Sequence, residues 1–392
     1  MTPAARVQAA IELLDQVIEA AKREGAPADR LIAAYFKQRR YAGSKDRRAV
    51  RELVYSAIRH CGEIPESGRA AMLALANDDE SLKPLFDGST HGPREISVSE
   101  NPAATGIAPQ WLLEAFERSD IGSQIAESLM GRAPLDVRVN TLKVDRSSIT
   151  LPEAGEKLAV PQGLRFEAGT QVEQWPAYRD GLIEVQDHGS QLACLAAGVK
   201  PGETVIDLCA GAGGKTLSLA AAMKNAGKLL ACDTDRQRLS KLAPRAERAG
   251  AGLVETLLLD PNRELEALDP HLGTADLVLV DAPCSGTGTW RRKPEAKWRL
   301  TPGSLDRYAA LQARLLGIAA KLIKPGGRIV YVTCSLLDEE GAGQIERFLR
   351  ENPSWSAERP EIPLGEPYGK GLRLNPFHHG TDGFFIAILR SS

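Results

Sequence analysis

The sequence lacks several features that would point to particular protein classes. Its 392 residues contain six cysteines, and none of them forms a CxxC pair or a Cys/His cluster with zinc spacing. No apolar run approaches the roughly 18 residues that a membrane span requires. There is also no signal peptide, so the scattered thiols predict a reducing, cytoplasmic setting and no membrane partner.

The chain also has almost no net charge. Its 49 Lys and Arg residues and 51 Asp and Glu residues leave a formal charge of −2 at pH 7, so any attraction to a polyanion must come from local patches. The densest patch runs from Lys37 to Arg51, with seven basic residues and one acid, Asp46. Such a run is either a solvated helical face or a surface that contacts phosphates. In the second case the candidate contacts include Arg39, Arg40, Arg47 and Arg48.

The first part of the chain is helical in pattern. Apolar residues recur at helical spacing over 4–24, after Pro27 and again after Lys45. This predicts an all-α N-terminal domain over residues 1–88. Residues 87–106 are rich in Gly, Ser, Pro, His and Asn, which is typical of a linker or an exposed loop.

The rest of the chain predicts two further domains. A helix over 107–119, an alternating strand over 135–140, a short helix over 146–157 and strands over 164–167 and 182–185 predict a small α+β module, which we place at 107–175. From about 187 strands and helices alternate, with single helices expected over 235–248 and 338–351, and we place this third domain at 176–392. This alternation predicts an α/β fold with a doubly wound parallel sheet.

Two of the predicted strands run into turns that contain cysteine. Leu277–Val280 is followed by Asp281 and Cys284, and Arg328–Thr333 is followed by Cys334. Parallel strands end at one edge of the sheet, where ligands bind, and neighbouring strands lie roughly 5 Å apart. The sequence therefore predicts two thiols and a carboxylate that face one substrate.

A glycine-rich turn over 209–216 follows another strand and opens a helix. Glycines let the backbone approach a ligand closely, and the start of a helix offers free N–H groups. Gly214, Lys215 and Thr216 form the end of a phosphate-loop motif, but Cys209 stands where its first glycine is required. We therefore exclude a nucleoside triphosphatase.

Acidic residues after the next two strands favour a nucleoside cofactor. Asp233 lies 22 residues after Gly211, the distance at which dinucleotide folds bind ribose hydroxyls. Asp235 is the alternative, although it also suits the N-cap of the following helix. Asp260 follows the third strand, and there it either meets the base of the cofactor or is an ordinary loop acid.

A nucleoside cofactor beside two thiols narrows the chemistry. Carbon 5 of a pyrimidine is a poor nucleophile, but addition of a thiolate at carbon 6 makes carbon 5 reactive toward an electrophilic methyl group. An acid at ring nitrogen 3 would stabilise the adduct, and Asp281 suits that role. The second thiol would help the adduct to collapse after methyl transfer.

Four ordered motifs carry a family resemblance. DLCAGAGGKT (207–216), DAPCSGTG (281–288), TCS (333–335) and DGFF (382–385) together resemble the RNA 5-methylcytosine methyltransferases of the Sun/Fmu and nucleolar-protein-like family. The resemblance covers about 135–392. It implies a Rossmann-like domain, S-adenosylmethionine as methyl donor, Cys334 as nucleophile and Cys284 as the thiol that assists release. The cofactor contacts that it implies are Cys209, Ala210, Gly211, Ala212, Gly213, Gly214, Lys215, Asp233, Arg238, Asp260 and Asp281.

The N-terminal segment DRRAVRELVYSAIRH (46–60) resembles the antitermination-factor-like RNA-binding domain of bacterial ribosomal RNA members, which strengthens the phosphate-contact interpretation. A second basic segment follows the Cys284 loop. Its candidate RNA contacts are Arg291, Arg292, Lys293 and Lys297. We therefore expect a monomer that acts on single-stranded or loop cytosine in ribosomal RNA, since the base must leave any stack to reach a thiol. The alternatives are a methyltransferase for protein or small molecules, which needs no paired thiols, and an RNA-binding assembly protein with vestigial catalysis.

Overall fold

The computed structural model describes residues 1–23 and 25–392. Its contacts divide the chain into two compact units, Met1–Gly131 with Thr289–Thr301, and Arg132–Gly288 with Pro302–Ser392. Glu24, the last residue of the helix predicted over 4–24, lies outside the described residues. The three-domain organisation stays a prediction, because contact density does not say which segments fold by themselves.

The first unit is helical, as predicted. Thr2 caps the first helix by accepting a hydrogen bond from the backbone N–H of Ala5, and Pro3 occupies its first turn. The helices between residues 3 and 78 bury one apolar core, to which Trp298 of the inserted segment also belongs. The helices are α1 (Pro3–Lys22), α2 (Ala28–Gln38), α3 (Ser44–His60), α4 (Gly68–Asp78), α5 (Gln110–Arg118) and α6 (Ser123–Ser128), with 3-10 turns at Glu80–Leu85 and Pro294–Arg299.

The second unit begins with a small antiparallel sheet. Its strands are β1 (Leu135–Val139), β2 (Glu156–Lys157), β3 (Gly163–Phe166) and β4 (Ile183–Val185), in the order β2-β3-β1-β4, with the short helix α7 (Pro176–Arg179) before β4. The helix predicted over 146–157 is wrong. Pro152 and Gly155 interrupt that segment, and turns followed by β2 take its place. Arg146 holds the following turn by donating to the carbonyls of Leu158, Val160 and Gly163.

The large sheet of the second unit confirms the α/β prediction. Its strands are β5 (Thr204–Asp207), β6 (Lys228–Asp233), β7 (Val254–Leu258), β8 (Ala275–Asp281), β9 (Ile323–Thr333), β10 (Trp355–Glu358), β11 (Glu366–Tyr368), β12 (Gly371–Leu374) and β13 (Phe384–Ser391). The helices are α8 (His188–Ala197), α9 (Gly214–Ala222), α10 (Arg236–Leu239), α11 (Leu242–Ala249), α12 (Glu264–Leu268), α13 (Pro302–Leu322), α14 (Ala342–Glu351) and α15 (Pro376–His379).

The strand order is β11-β12-β13-β9-β8-β5-β6-β7, and β10 pairs with β13. Strands β5 to β9 are parallel, whereas β13 runs antiparallel to β9, so the sheet is mixed. The chain crosses over between β5 and β8, which creates the kind of switch point at the carboxyl edge where α/β sheets bind ligands.

Two helix predictions need correction. The helix expected over 235–248 is split into α10 and α11. Pro244 explains the break, because its ring would clash with the carbonyl of Ser240 in a continuous helix. The helix expected over 338–351 begins only at Ala342, and Asp338–Glu340 forms a separate 3-10 turn.

Candidate active site

The parallel pairing of β8 and β9 brings the two cysteine turns together. Asp281 is in register with Val332, and the N–H of Gly288 donates to the carbonyl of Cys334 at 2.9 Å. The Sγ atoms of Cys284 and Cys334 then lie 3.4 Å apart. Both thiols are free and partly exposed. The predicted thiol pair is therefore present in the structure.

The two thiols are not equivalent. The hydrogen bond with Cys334 and burial both raise the pKa of Cys284 well above that of an ordinary thiol, and the negative charge of Glu340 acts in the same direction. The Cys284 thiol therefore gives up its proton less readily than an ordinary thiol does.

An ion pair stands at the same sheet edge. The Nζ of Lys215 donates to Oδ2 of Asp281 at 2.7 Å. Burial alone would lower the pKa of Lys215, but the charges of Asp281 and of the nearby thiols outweigh it and raise that pKa above its ordinary value. Lys215 thus stays charged and forms an ion pair with Asp281, the carboxylate predicted to support the reaction.

A buried carboxyl lies behind this pair. Asp207 ends β5 and accepts a hydrogen bond from the hydroxyl of Thr216 at 2.6 Å. Burial, with a smaller contribution from the charge of Asp281, raises the pKa of Asp207 to about 7. Asp207 therefore gives up its proton less readily than an ordinary carboxyl group does.

The glycine-rich loop has a shape that only glycine allows at two positions. Gly211 and Gly213 have φ of 55° and 86°, in the left-handed region. A Cβ at Gly213 would lie 2.0 Å from Cδ1 of Leu242, and one at Gly211 would lie 2.4 Å from Nη2 of Arg238. The loop then opens α9 at Gly214. Such a backbone cradle at the start of a helix fits the nucleoside cofactor that was predicted there.

Asp233 and Asp235 accept hydrogen bonds from different parts of the backbone. The carboxylate of Asp233 accepts from the N–H groups of Gly211 and Asp235, both at 2.7 Å, so it is tied directly to the loop. Asp235 accepts from the N–H groups of Gln237 and Arg238 and is thus the N-cap of α10. This arrangement favours Asp233 over Asp235 as the ribose ligand.

The remaining predicted cofactor residues lie around this loop. Arg238 is exposed beside Gly211, and Asp260 is exposed just after β7. The carbonyl of Ala212 accepts from Nη1 of Arg245 at 2.5 Å, which holds the loop from outside. Cys209 and Ala210 connect β5 to the glycine-rich loop. Burial raises the pKa of the Cys209 thiol. Contact of these residues with a cofactor stays a prediction.

The N-terminal basic patch is largely at the surface. Arg40, Arg47 and Arg48 are exposed, whereas Arg39 is half-buried and its guanidinium contacts Glu12 at 3.2 Å. Sequence reasoning missed Tyr41, which is 74 % exposed among these cations. The signal was available, because an aromatic residue between basic residues is typical of surfaces on which bases stack.

The second basic segment requires a correction. Arg291 and Lys297 are buried, so they are not surface contacts for RNA. The Nζ of Lys297 is fully enclosed and donates to the carbonyl of Ile107 at 2.9 Å, with Met130 Sδ 3.5 Å away. Lys293 is exposed and Arg292 is half-buried. Buried and exposed cations therefore alternate along this segment. Its 3-10 turn directs the side chain of Lys297 into the helical unit.

Sequence reasoning also missed a buried polar cluster behind the two thiols. Glu340 is 0 % exposed and accepts from the backbone N–H of Ser285 at 2.8 Å. Gln312 donates to the same carboxylate at 3.1 Å. The sequence predicts a helix that starts at 338, and this pattern gives no sign of a buried carboxylate at position 340.

Within residues 1–23 and 25–392 no group of three or more His, Cys, Asp or Glu side chains is arranged to hold a metal ion. The same residues include no helix with the length and apolar character that crossing a membrane requires.

The mixed sheet, glycine loop and edge carboxylates define the class of Rossmann-like methyltransferases. The family model for "16S rRNA methyltransferase RsmB/F" matches residues 194–390. A probable ribosomal RNA small subunit methyltransferase B from Synechocystis is 32% identical over 88% of this chain and 83% of its own length. The corresponding Bacillus subtilis protein is 31% identical over 78% of this chain and 70% of its own length.

Solved structures agree on the fold. The crystal structure of PH0851 has a TM-score of 0.77 and 26% identity, and the match covers 99% of both chains. NSun6 from Pyrococcus horikoshii has a TM-score of 0.62 and 21% identity over 72% of this chain and 97% of its own.

The chain belongs to the 16S rRNA methyltransferase RsmB/F family. It is thus an rRNA methyltransferase that uses S-adenosylmethionine, and the cradle at Gly211 and Gly213 suits such a nucleoside.

Proposed function

We propose that this protein transfers a methyl group to carbon 5 of a cytosine in small-subunit ribosomal RNA through a covalent cysteine adduct. The observation that carries the proposal is the pair of free thiols, Cys284 and Cys334, 3.4 Å apart at the ends of adjacent strands. A methyltransferase that acts on a nucleophilic oxygen or nitrogen needs no such pair. Methylation of cytosine carbon 5 can use both thiols, one to activate carbon 5 by addition at carbon 6 and the other to assist release.

Each group has a defined part in this chemistry. The thiolate of Cys334 adds to carbon 6, and the electrons that reach the ring make carbon 5 nucleophilic. Ring nitrogen 3 gains a proton from the ammonium of Lys215 through Asp281, two groups that lie 2.7 Å apart, and returns it by the same route when the adduct collapses. S-Adenosylmethionine supplies the electrophilic methyl group. Solvent then accepts the carbon 5 proton, the electrons of that bond form the C5–C6 double bond, and the Cys334 sulfur leaves as a thiolate. Cys284 assists this elimination by donating its S–H to the leaving sulfur, 3.4 Å away.

The cofactor is held by the glycine loop and the acids near it. We assign the backbone of residues 209–215 to the methionine and ribose side, and Asp233 to the ribose hydroxyls. Asp260 and Arg238 are exposed beside this region and are the candidates for contact with the base. Asp281 lies where the methyl group and the cytosine must meet.

RNA is held by separate surface cations. The exposed Arg40, Arg47 and Arg48, with Arg39 and Tyr41, form one contact surface, and Lys293 and Arg292 form another. We propose that the enzyme acts in the cytoplasm as a monomer and takes a cytosine from a single-stranded or loop segment, because an unstacked base reaches a thiol at lower cost.

The test is a denaturing gel of Cys284→Ala and Cys334→Ala, each incubated with S-adenosylmethionine and with either 16S rRNA or small ribosomal subunits. We expect Cys284→Ala to accumulate a covalent protein–RNA band, because addition and methyl transfer proceed but release does not. Cys334→Ala should give no band. Cys232→Ala, a buried thiol on β6, is the matched control and should turn over without a band.

Other outcomes would change the proposal in defined ways. The reverse pattern of bands would exchange the roles of the two thiols. Wild-type enzyme that methylates RNA while neither variant loses activity would exclude covalent catalysis. Sequencing of the trapped RNA would identify the modified cytosine.

A further inference from the structure

Behind the thiols, one buried carboxylate connects both cysteine turns. Glu340 has no exposed surface, yet its carboxyl group lies among hydrogen-bond donors. It accepts from the backbone N–H of Ser285 at 2.8 Å, from the hydroxyl of Ser285 and from the side chain of Gln312. Burial of a charge is costly unless such donors compensate for it. A residue that only filled space here would not need to be charged.

The connection extends to the second turn through hydroxyl groups. Ser285 follows Cys284 directly, and Ser335 follows Cys334 directly. The two serine hydroxyls are 3.2 Å apart, and Ser335 also lies 3.1 Å from the hydroxyl of Thr287. Thr287 in turn accepts from the N–H of Leu336 at 3.0 Å. Displacement of one turn would therefore break hydrogen bonds to the other.

The carboxylate is itself fixed from several sides. The hydroxyl of Tyr331, on β9, donates to the backbone carbonyl of Glu340 at 2.7 Å. Gln312, on α13, bridges Glu340 to the carbonyl of Pro283 at 3.0 Å. A strand and a helix thus both hold Glu340 in its 3-10 turn, the strand through its backbone carbonyl and the helix through its carboxyl group, which is the rigid support that a reactive pair requires.

We propose that Glu340 is a positioning residue that holds the thiols of Cys284 and Cys334 in place and keeps them unequal in reactivity. This inference rests on the function proposed above, in which Cys334 attacks and Cys284 assists release. Glu340 acts through Ser285 and Ser335, the residues next to the thiols. Its negative charge disfavours a second negative charge on Cys284, in agreement with the raised pKa of that thiol.

The substitution Glu340→Gln tests the charge while it keeps the size of the side chain. An amide retains one oxygen for Ser285 but presents an N–H₂ group where a second acceptor stood. We expect kcat to fall roughly 10- to 100-fold, as small displacements of reacting groups do, with the KM for RNA unchanged. We also expect alkylation of Cys284 by iodoacetamide to begin at lower pH than in the wild type, because the nearby negative charge is gone.

The measurement is peptide mass spectrometry of the full-length protein after brief alkylation over a range of pH, with Cys284 and Cys334 quantified separately. Glu339→Gln is the matched control, because Glu339 is adjacent in sequence and exposed. Its alkylation profile and kcat should match those of the wild type. If Glu340→Gln proves unfolded by circular dichroism, Ser285→Ala removes one oxygen from the same connection and should lower kcat without changing KM.

The outcomes separate the inference from the function on which it rests. A folded Glu340→Gln variant with the wild-type alkylation profile and kcat would overturn the positioning role. Wild-type enzyme that labels no cytosine would overturn the proposed function instead, and the alkylation profiles would still report on the thiols. A fall in kcat with an unchanged alkylation profile would also count against the inference, because it would indicate a purely structural effect.

Discussion

Lys297 should make the stability of the helical unit depend on pH. Its side chain is fully buried, its ammonium contacts backbone carbonyls, and Cys61 and Arg59 are the titratable groups that act on it. Burial lowers its pKa from 10.5 to about 7, and the nearby charge of Arg59 adds to this. Because the unfolded chain holds this proton up to pH 10.5 and the folded chain releases it near pH 7, folding should become more favourable as the pH rises between these values.

The size of the effect follows from linkage. With these two pKa values, the contribution of Lys297 to the free energy of unfolding should rise by about 2 kcal/mol from pH 7 to pH 9. Lys297→Met removes this titration. It also leaves the carbonyl of Ile107 without its donor, at a cost of about 1–3 kcal/mol that does not depend on pH. The free energy of unfolding of the wild type minus that of Lys297→Met should therefore increase from pH 7 to pH 9.

The assay is urea unfolding at pH 7 and pH 9. Hydrogen exchange of peptides from α1 and α3 reports the unfolding of the helical unit. Burial raises the pKa of Cys61 to about 11, so this thiol stays mostly protonated in the folded protein at both pH values. Lys293→Met, an exposed change in the same segment, should leave the pH dependence of the wild type intact. Equal pH dependence in wild type and Lys297→Met would refute the argument that a buried ammonium opposes folding at neutral pH.

Three further perturbations test other parts of the fold and the site. Arg165→Met removes the ion pair of the fully buried carboxylate of Asp136 and should cost about 3 kcal/mol in urea unfolding; a loss below 1 kcal/mol would show that the remaining hydrogen bonds suffice. Gly288→Ala places a Cβ 2.3 Å from the carbonyl oxygen of Gly383. We expect the free energy of unfolding to fall by about 2 kcal/mol and methyl transfer to be lost. A fully active variant would mean that the two loops can move apart without cost. Arg47→Ala with Arg48→Ala should reduce the slope of log affinity for RNA against log salt by about 1.4, and an unchanged slope would remove these residues from the interface.

The sequence alone predicted those parts of the site that depend on local patterns and on which strands are neighbours. Cys284 and Cys334 each follow an apolar strand, so their meeting at one sheet edge depended only on the two strands being neighbours. The N-cap role of Asp235 followed from the same kind of local pattern. Strands β10 to β12 were missed because they are short, and two of them are only partly buried.

Other features depended on contacts that no local pattern records. Lys297 stands in a basic run and would be exposed on any isolated turn, yet the helical unit encloses it. Glu340 lies in an acidic run that is typical of a helix start, yet it turns inward to Ser285. In both cases tertiary partners, namely backbone carbonyls for the cation and hydroxyl and N–H groups for the anion, override the preference of charged groups for water.

The position of Thr289–Thr301 bears on how the nascent protein acquires its structure. This segment is synthesised after β5 to β8, but Trp298 packs in the core of the helical unit. Part of the apolar surface of the helices that are synthesised first therefore stays uncovered. It is covered only when thirteen residues from the middle of the catalytic sequence have left the ribosome. Cotranslational folding thus cannot proceed strictly from the N-terminus, and a fragment that stops at residue 131 omits a piece of its own interior.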